Sequence, residues 1–126
     1  MDWKIELIHV PVTDVDRAKS FYVDKLGFNA DHDQRVSDDL RFVQLTPPGS
    51  ACSIAFGEGL GNTLEPGSLD VIQVVIADAD AALAELRAKG VECEGVDEQA
   101  WGRFITLADP DGNRWTLQEL PAYSAA

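Results

Sequence analysis

The sequence predicts an α+β fold: two tandem βαβββ modules, about 3–56 and 68–120, forming a curved sheet around a central cavity. Three observations predict it. The stretch Asp109-Pro110-Asp111-Gly112-Asn113 is dense in turn formers and feeds a strand-like run from Arg114 to Leu120. A cruder copy lies 63 residues earlier, where Thr46-Pro47-Pro48-Gly49-Ser50 precedes Ala51 to Phe56. That copy puts Thr116 and Ser53 in equivalent places. The fragments Asp14-Val15-Asp16-Arg17-Ala18 and Asp78-Ala79-Asp80-Ala81-Ala82 also repeat, at an offset of 64. Self-similarity at a fixed offset marks a chain built twice from one unit.

The elements follow in order. Residues 3–12 are rich in Ile, Leu and Val and read as a strand. Alternation places Ile5, Leu7, His9 and Pro11 on one face. Pro11 lacks an amide proton and so belongs at an edge or a strand end. Asp14 is a good helix cap, and Asp16 adds negative charge where the first-turn amides favour it. The spacing of Val15, Ala18, Phe21, Tyr22 and Leu26 predicts a helix over 15–26, closed by Gly27. Strands are expected at 28–36, 40–46 and 51–56. Residues 57–67, GEGLGNTLEPG, contain four glycines and a proline and read as a connecting loop or a lid. The second module repeats the series: a strand at 69–77, a helix at 79–89 ending at Gly90, then strands at 91–96, 103–108 and 114–120.

Composition narrows the function. A chain of 126 residues suits a single domain with a real core, and its 45% apolar fraction argues against disorder. The formal charge is −12. Residues 1–63 carry 6 basic and 10 acidic side chains, and residues 64–126 carry 4 and 12. That field disfavours a nucleic-acid partner and suits a neutral or cationic small molecule. No run approaches the roughly 20 apolar residues of a membrane span. The start, Met1 to Glu6, has no basic leader, so the cytoplasm is the expected address. Cys52 and Cys93 match no disulfide scaffold or metal-knuckle spacing and are expected to be buried thiols inside strands.

With Val12-Thr13-Asp14 before the first helix, Phe21-Tyr22 leading to Leu26-Gly27-Phe28, and the 109–113 turn, the chain resembles the vicinal oxygen chelate superfamily over residues 4–120. That group includes glyoxalase I, extradiol dioxygenases, fosfomycin-resistance enzymes and bleomycin-resistance proteins. The resemblance implies, for the enzymes, one divalent metal held by a His on the first strand of a module and a Glu on its last. Here those positions fall on Leu7, Val71, Thr116 and Ser53. Leu and Val offer no lone pair, and hydroxyls are poor ligands without carboxylate support. No metal ligand and no cofactor is therefore assigned.

The candidate site follows from parity and from the repeat. His9 shares a face with Leu7, and its repeat mate is Gln73. Thr116 and Gln118 share a face, and alternation points Glu119 the other way. The alternative is a twist or bulge near the strand end that turns Glu119 inward as a carboxylate for a cationic ligand. Trp101 stands where it can stack on a planar ligand. His9, Gln73, Trp101, Thr116, Gln118, Ser53 and Phe42 are the expected ligand-binding residues. His9 is the candidate general base, because its reference pKa is near 6.5. Arg41 and Arg103 occupy similar places in the two modules; such charges are usually salt-bridged locally, the alternative being an anion clamp. The expected function is metal-independent binding of a small organic molecule, cationic or aromatic, as in bleomycin-resistance proteins. The alternative is a glyoxalase-like lyase, isomerase or dioxygenase using an atypical metal site or His9. A homodimer is expected, since open sheets leave edges that want cover.

Overall fold

The structure, a computed structural model, describes residues 1–121. The chain divides into two compact units. The first is Met1–Leu69 with Asp109–Asn113; the second is Asp70–Ala108 with the chain from Arg114 onward. The first unit holds β1 (Leu7–His9), α1 (Val15–Ser20), β2 (Asn29–Ser37), β3 (Leu40–Thr46) and β4 (Ser53–Glu58). The second holds β5 (Asp70–Ile76), α2 (Ala79–Ala88), β6 (Asp97–Gln99), β7 (Gly102–Ala108) and β8 (Arg114–Glu119). Each is thus a βαβββ module with a four-stranded sheet. The strand order is β1-β4-β3-β2 in one and β5-β8-β7-β6 in the other. In both, the first and last strands run parallel and the remaining pairs antiparallel.

Both helices start as their sequences direct. Asp14 is extended, and its Oδ1 accepts from Arg17 N–H at 3.0 Å; Asp78 accepts from Ala81 N–H at 3.1 Å. Each cap satisfies an amide that has no partner inside the helix. In the first unit, register sets Val43 opposite Phe56 and Leu45 opposite Ile54, all buried. Over them lies an aromatic cluster: Tyr22 meets Phe21 edge-on at 5.3 Å between centroids, with Phe28 at 5.4 Å and Phe56 at 6.0 Å. Burying one such side chain stabilises by about 1.5–3 kcal/mol, so this cluster is a large part of the unit's core. The second unit's smaller core centres on Trp115, Ile105, Leu107 and Leu86.

The turn Asp109–Asn113 is fastened inside the first unit by hydrogen bonds. Asp109 is buried; its Oδ1 accepts the N–H groups of Asp111, Gly112 and Asn113 at 2.9–3.0 Å. Its Oδ2 accepts from the Tyr22 hydroxyl at 2.7 Å and the Asn113 amide at 2.8 Å. Asn113 also donates to Pro11 O at 2.8 Å and accepts from Leu69 N–H at 3.1 Å. Buried polar groups need this degree of pairing.

Four expectations are corrected. The strand expected over 3–12 contracts to Leu7–His9, with flanking bonds from Ser53 N–H to Glu6 O and from Val10 N–H to Ala55 O, both 2.9 Å. Pro11 has no N–H to carry the ladder further. The helix expected over 15–26 is α-helical only to Ser20 and widens over Phe21–Lys25 into a π-turn, in which Leu26 N–H reaches Phe21 O at 3.2 Å. Such turns re-aim side chains at specific points; here Tyr22, fully buried, comes to Asp109. The strand expected at 91–96 does not form, and pairing begins at Asp97. Val91 is instead the buried cap of α2: Gly90 adopts φ 77°, its N–H bonds Arg87 O at 3.0 Å, and Val91 N–H bonds Leu86 O at 3.0 Å. This is the Schellman arrangement, which uses the first residues after a helix and so removes them from a strand. Finally, Cys52 and Cys93 are half-exposed free thiols outside the strands.

Candidate functional site

Each sheet has one face toward its helix and one away from it. Residues opposite one another in register share a face. In the first unit the face away from α1 carries Leu7 beside Ser53, His9 and Gln44 on either side of Ala55, and Phe42 beside Gly57. In the second, Gln73 lies beside Thr116 and Phe104 beside Gln118, on the face away from α2. Glu119 turns to the helix side, where its Oε1 accepts Ala79 N–H at 2.8 Å.

The seven candidate side chains differ in what they are free to do. Ser53 is buried, and its hydroxyl is 2.6 Å from Thr46 Oγ1 and accepts from Gln44 Nε2 at 3.2 Å. Thr46 in turn bonds Asp31, whose carboxyl is held below its ordinary range by the Thr46 and Asn29 hydrogen bonds. Ser53 is therefore tied into a polar chain across the sheet. Gln73 donates to Gln118 Oε1 at 2.8 Å, and Gln118 donates to Trp101 O at 3.0 Å, so the three are joined. Trp101 is 63% exposed. Thr116 and Phe42 are half-buried. His9 is exposed, on the sheet face away from α1, and no hydrogen bond ties its imidazole to another described residue.

Neither arginine is free for an anion. Arg41 grips Asp33 through two bonds of 3.0 and 2.9 Å and reaches Asp16 at 2.9 Å. Arg41, with Lys19, holds the Asp33 carboxyl well below the usual carboxylate range, and Asp33 and Asp16 raise Arg41 correspondingly. Arg103 binds Asp80 twice at 3.0 Å and Glu98 at 2.9 Å. The hydrogen bond from Arg103 lowers Asp80.

Sequence reasoning missed one feature. In the first unit the loop 57–67 bounds a cavity of about 390 Å³, whose wall includes His9, Phe56, Leu60, Asn62 and Leu64. The four glycines signalled an unusual loop, but nothing in the sequence placed it against His9.

The metal of the family's enzymes does not fit this donor set. The resemblance puts the ligand positions on Leu7, Val71, Thr116 and Ser53, but register corrects one of them. Gln73, not Val71, lies beside Thr116 as Leu7 lies beside Ser53, so the repeat mate of His9 is Val75. Gln73 is bonded to Gln118, and Ser53 already bonds Thr46 and Gln44. Among the described residues, no group of three or more His, Cys, Asp or Glu could hold a metal ion.

Fold and repeat agree with the sequence comparisons. The profile of the Glyoxalase/Bleomycin resistance protein/Dioxygenase superfamily matches residues 4–117. The chain belongs to that superfamily. It is similar to TnmS3, an antibiotic binding protein from Streptomyces sp. CB03234, with 34% identity, a TM-score of 0.86, and coverage of 95% of this chain and 98% of that one. A glyoxalase/bleomycin resistance protein from the same Streptomyces is 35% identical at a TM-score of 0.80, covering 92% of this chain and 100% of that one. The Bacillus subtilis (strain 168) protein YetH is 24% identical over 120 residues, 92% of this chain and 98% of its own. Among the described residues no helix is long and apolar enough to cross a membrane.

Proposed function

We propose that this protein binds an organic small molecule of the antibiotic kind and releases it chemically unchanged. The observation that carries the reading is the similarity to TnmS3 along almost the whole chain. The donor chemistry supports it. The sheet faces away from the helices carry neutral polar groups and aromatics. One unit has His9, Phe42 and the already bonded Ser53. The other has Gln73, Thr116 and Gln118, with Trp101 in the turn before β7. Such groups fix the orientation of a ligand. A net charge of −12 favours a neutral or cationic ligand over an anion. A homodimer and a cytoplasmic address complete the proposal, and light scattering reads the first directly.

The test is a calorimetric titration of the full chain with bleomycin, followed by mass spectrometry of the recovered ligand. Saturable binding with the ligand mass unchanged, weakened by Trp101→Ala, is the expected result. A new product that disappears in His9→Ala would make the protein an enzyme. Absence of saturable heat would remove the bleomycin-resistance type of binding.

A further inference from the structure

The proposed function rests on whole-chain similarity; the cavity beneath the loop 57–67 carries a separate inference. Its volume, about 390 Å³, lies toward the lower end of the range of roughly 300–1,000 Å³ typical of ligand sites. Its side chains are almost all apolar: Val10, Pro11, Phe56, Leu60, Leu64 and Pro66 among them. The polar exceptions are His9 and Asn62. Asn62 Oδ1 is engaged by Leu64 N–H at 3.0 Å, whereas the His9 imidazole bonds no described residue. No Asp, Glu, Lys or Arg side chain lines the wall. A charged ligand group there would gain no counter-charge from the wall. A neutral imidazole offers one donor and one acceptor. It therefore suits a hydroxyl or carbonyl on an otherwise apolar body.

The loop is built to cover such a body. Its first root is fixed: a Cβ on Gly57 would lie 1.9 Å from Arg41 O, and one on Gly59 2.3 Å from Asp39 O. Its second root is fixed too, since Gly67 N–H bonds Pro11 O at 3.2 Å and a Cβ there would lie 2.0 Å from Asp111 O. Between the roots, Gly61 stands in open space at φ 79°. A segment held at both ends, with exposed residues at 61–66 between them, can lift locally without disturbing the sheet.

We propose that this cavity is a ligand compartment in its own right, taking an uncharged ring system whose hydroxyl or carbonyl pairs with His9, with the middle of the loop as its cover. Amide chemical shifts of the full chain, titrated with 2-naphthol, test it. The expected result is saturable shifts confined to residues 9–12 and 55–66, and none with naphthalene-2-sulfonate, which carries a charge. His9→Ala, at an exposed position, should weaken 2-naphthol about five- to tenfold, the loss of one hydrogen bond. Leu60→Trp, checked for folding by circular dichroism, should abolish the shifts by filling the space. Shifts confined to Gln73, Trp101, Thr116 and Gln118 would overturn the compartment and leave small-molecule binding standing. Unchanged affinity in His9→Ala would equally overturn it. Loop shifts with no binding of bleomycin would keep the compartment and remove the bleomycin-type function.

Discussion

The two units share a strand order, a capped helix and an arginine that fastens the helix's first turn to the sheet. Arg41 meets Asp16 in one, and Arg103 meets Asp80 in the other. They differ in how deeply these parts are set. The Arg41 side chain is 13% exposed and doubly bonded to Asp33, which Lys19 also holds. Arg103's main partners, Asp80 and Glu98, are exposed. In the first unit β2 spans Asn29–Ser37 and pairs along the length of β3; in the second β6 pairs at only three residues of β7. The first unit also includes the 109–113 turn, locked by Tyr22, while the second ends its helix on Val91. A repeated sequence thus fixes topology twice, but burial decides what each copy of a device contributes.

The sharpest way to break this contrast is Asp109→Ala. It would leave the Tyr22 hydroxyl, the Asn113 amide and three turn N–H groups without their shared acceptor. Removing one member of a buried charged network costs about 3–5 kcal/mol. Urea unfolding should therefore show a large fall in midpoint. Tyr22→Phe removes one bond of the set and should cost about 1–2 kcal/mol. If Asp109→Ala cost less than Tyr22→Phe, the turn would not be what distinguishes the first unit.

A smaller effect separates the two arginines. Arg41→Ala should destabilise by about 1–2 kcal/mol, and Arg103→Ala should lower the unfolding midpoint by much less, because exposed pairs contribute little. Acid makes the contrast independent of the substitutions' size. The folded-state pKa of Asp33 is depressed, first by Arg41 and then by Lys19. Its contribution is therefore complete above the ordinary carboxylate pKa, near 3.9, and is lost as pH falls through the folded value. Wild-type stability should drop on acidification below about pH 4, and Arg41→Ala should flatten that drop. An equal flattening in Arg103→Ala would erase the distinction between the units.

What the sequence made legible follows the same division between topology and depth. The caps Asp14 and Asp78, the closing glycines 27 and 90, and the echo of the 109–113 turn were enough for two βαβββ modules, because caps and turns are decided within a few residues. The π-turn at Phe21 was not legible. It goes with a hydrogen bond from Tyr22 to Asp109, 87 positions away, which local sequence does not show. The missing strand at 91–96 was misread for a local reason: Val91 suits a strand and a helix cap equally, and only the Gly90 geometry chooses. For the candidate site, alternation correctly paired Thr116 with Gln118 on one face and sent Glu119 to the other. It could not reveal that the Ser53 hydroxyl is already engaged, since that depends on which strand lies alongside.

The smallest expected stability effect is the most informative about function. Trp101 is 63% exposed and Val75, on the same side of the second sheet as Gln118, is 62% exposed. Large apolar side chains left in water contribute little to folding, so Trp101→Ala should change unfolding free energy by no more than about 0.5 kcal/mol. A loss of about 3–5 kcal/mol, as for a buried tryptophan, would mean that Trp101 is a packing residue in solution and remove it from the proposed binding set. With stability unchanged, a weakened bleomycin titration in the same variant would have to come from a lost ligand contact. The second unit's shallower core would then coexist with large side chains, Trp101 and Val75, kept exposed for something other than folding.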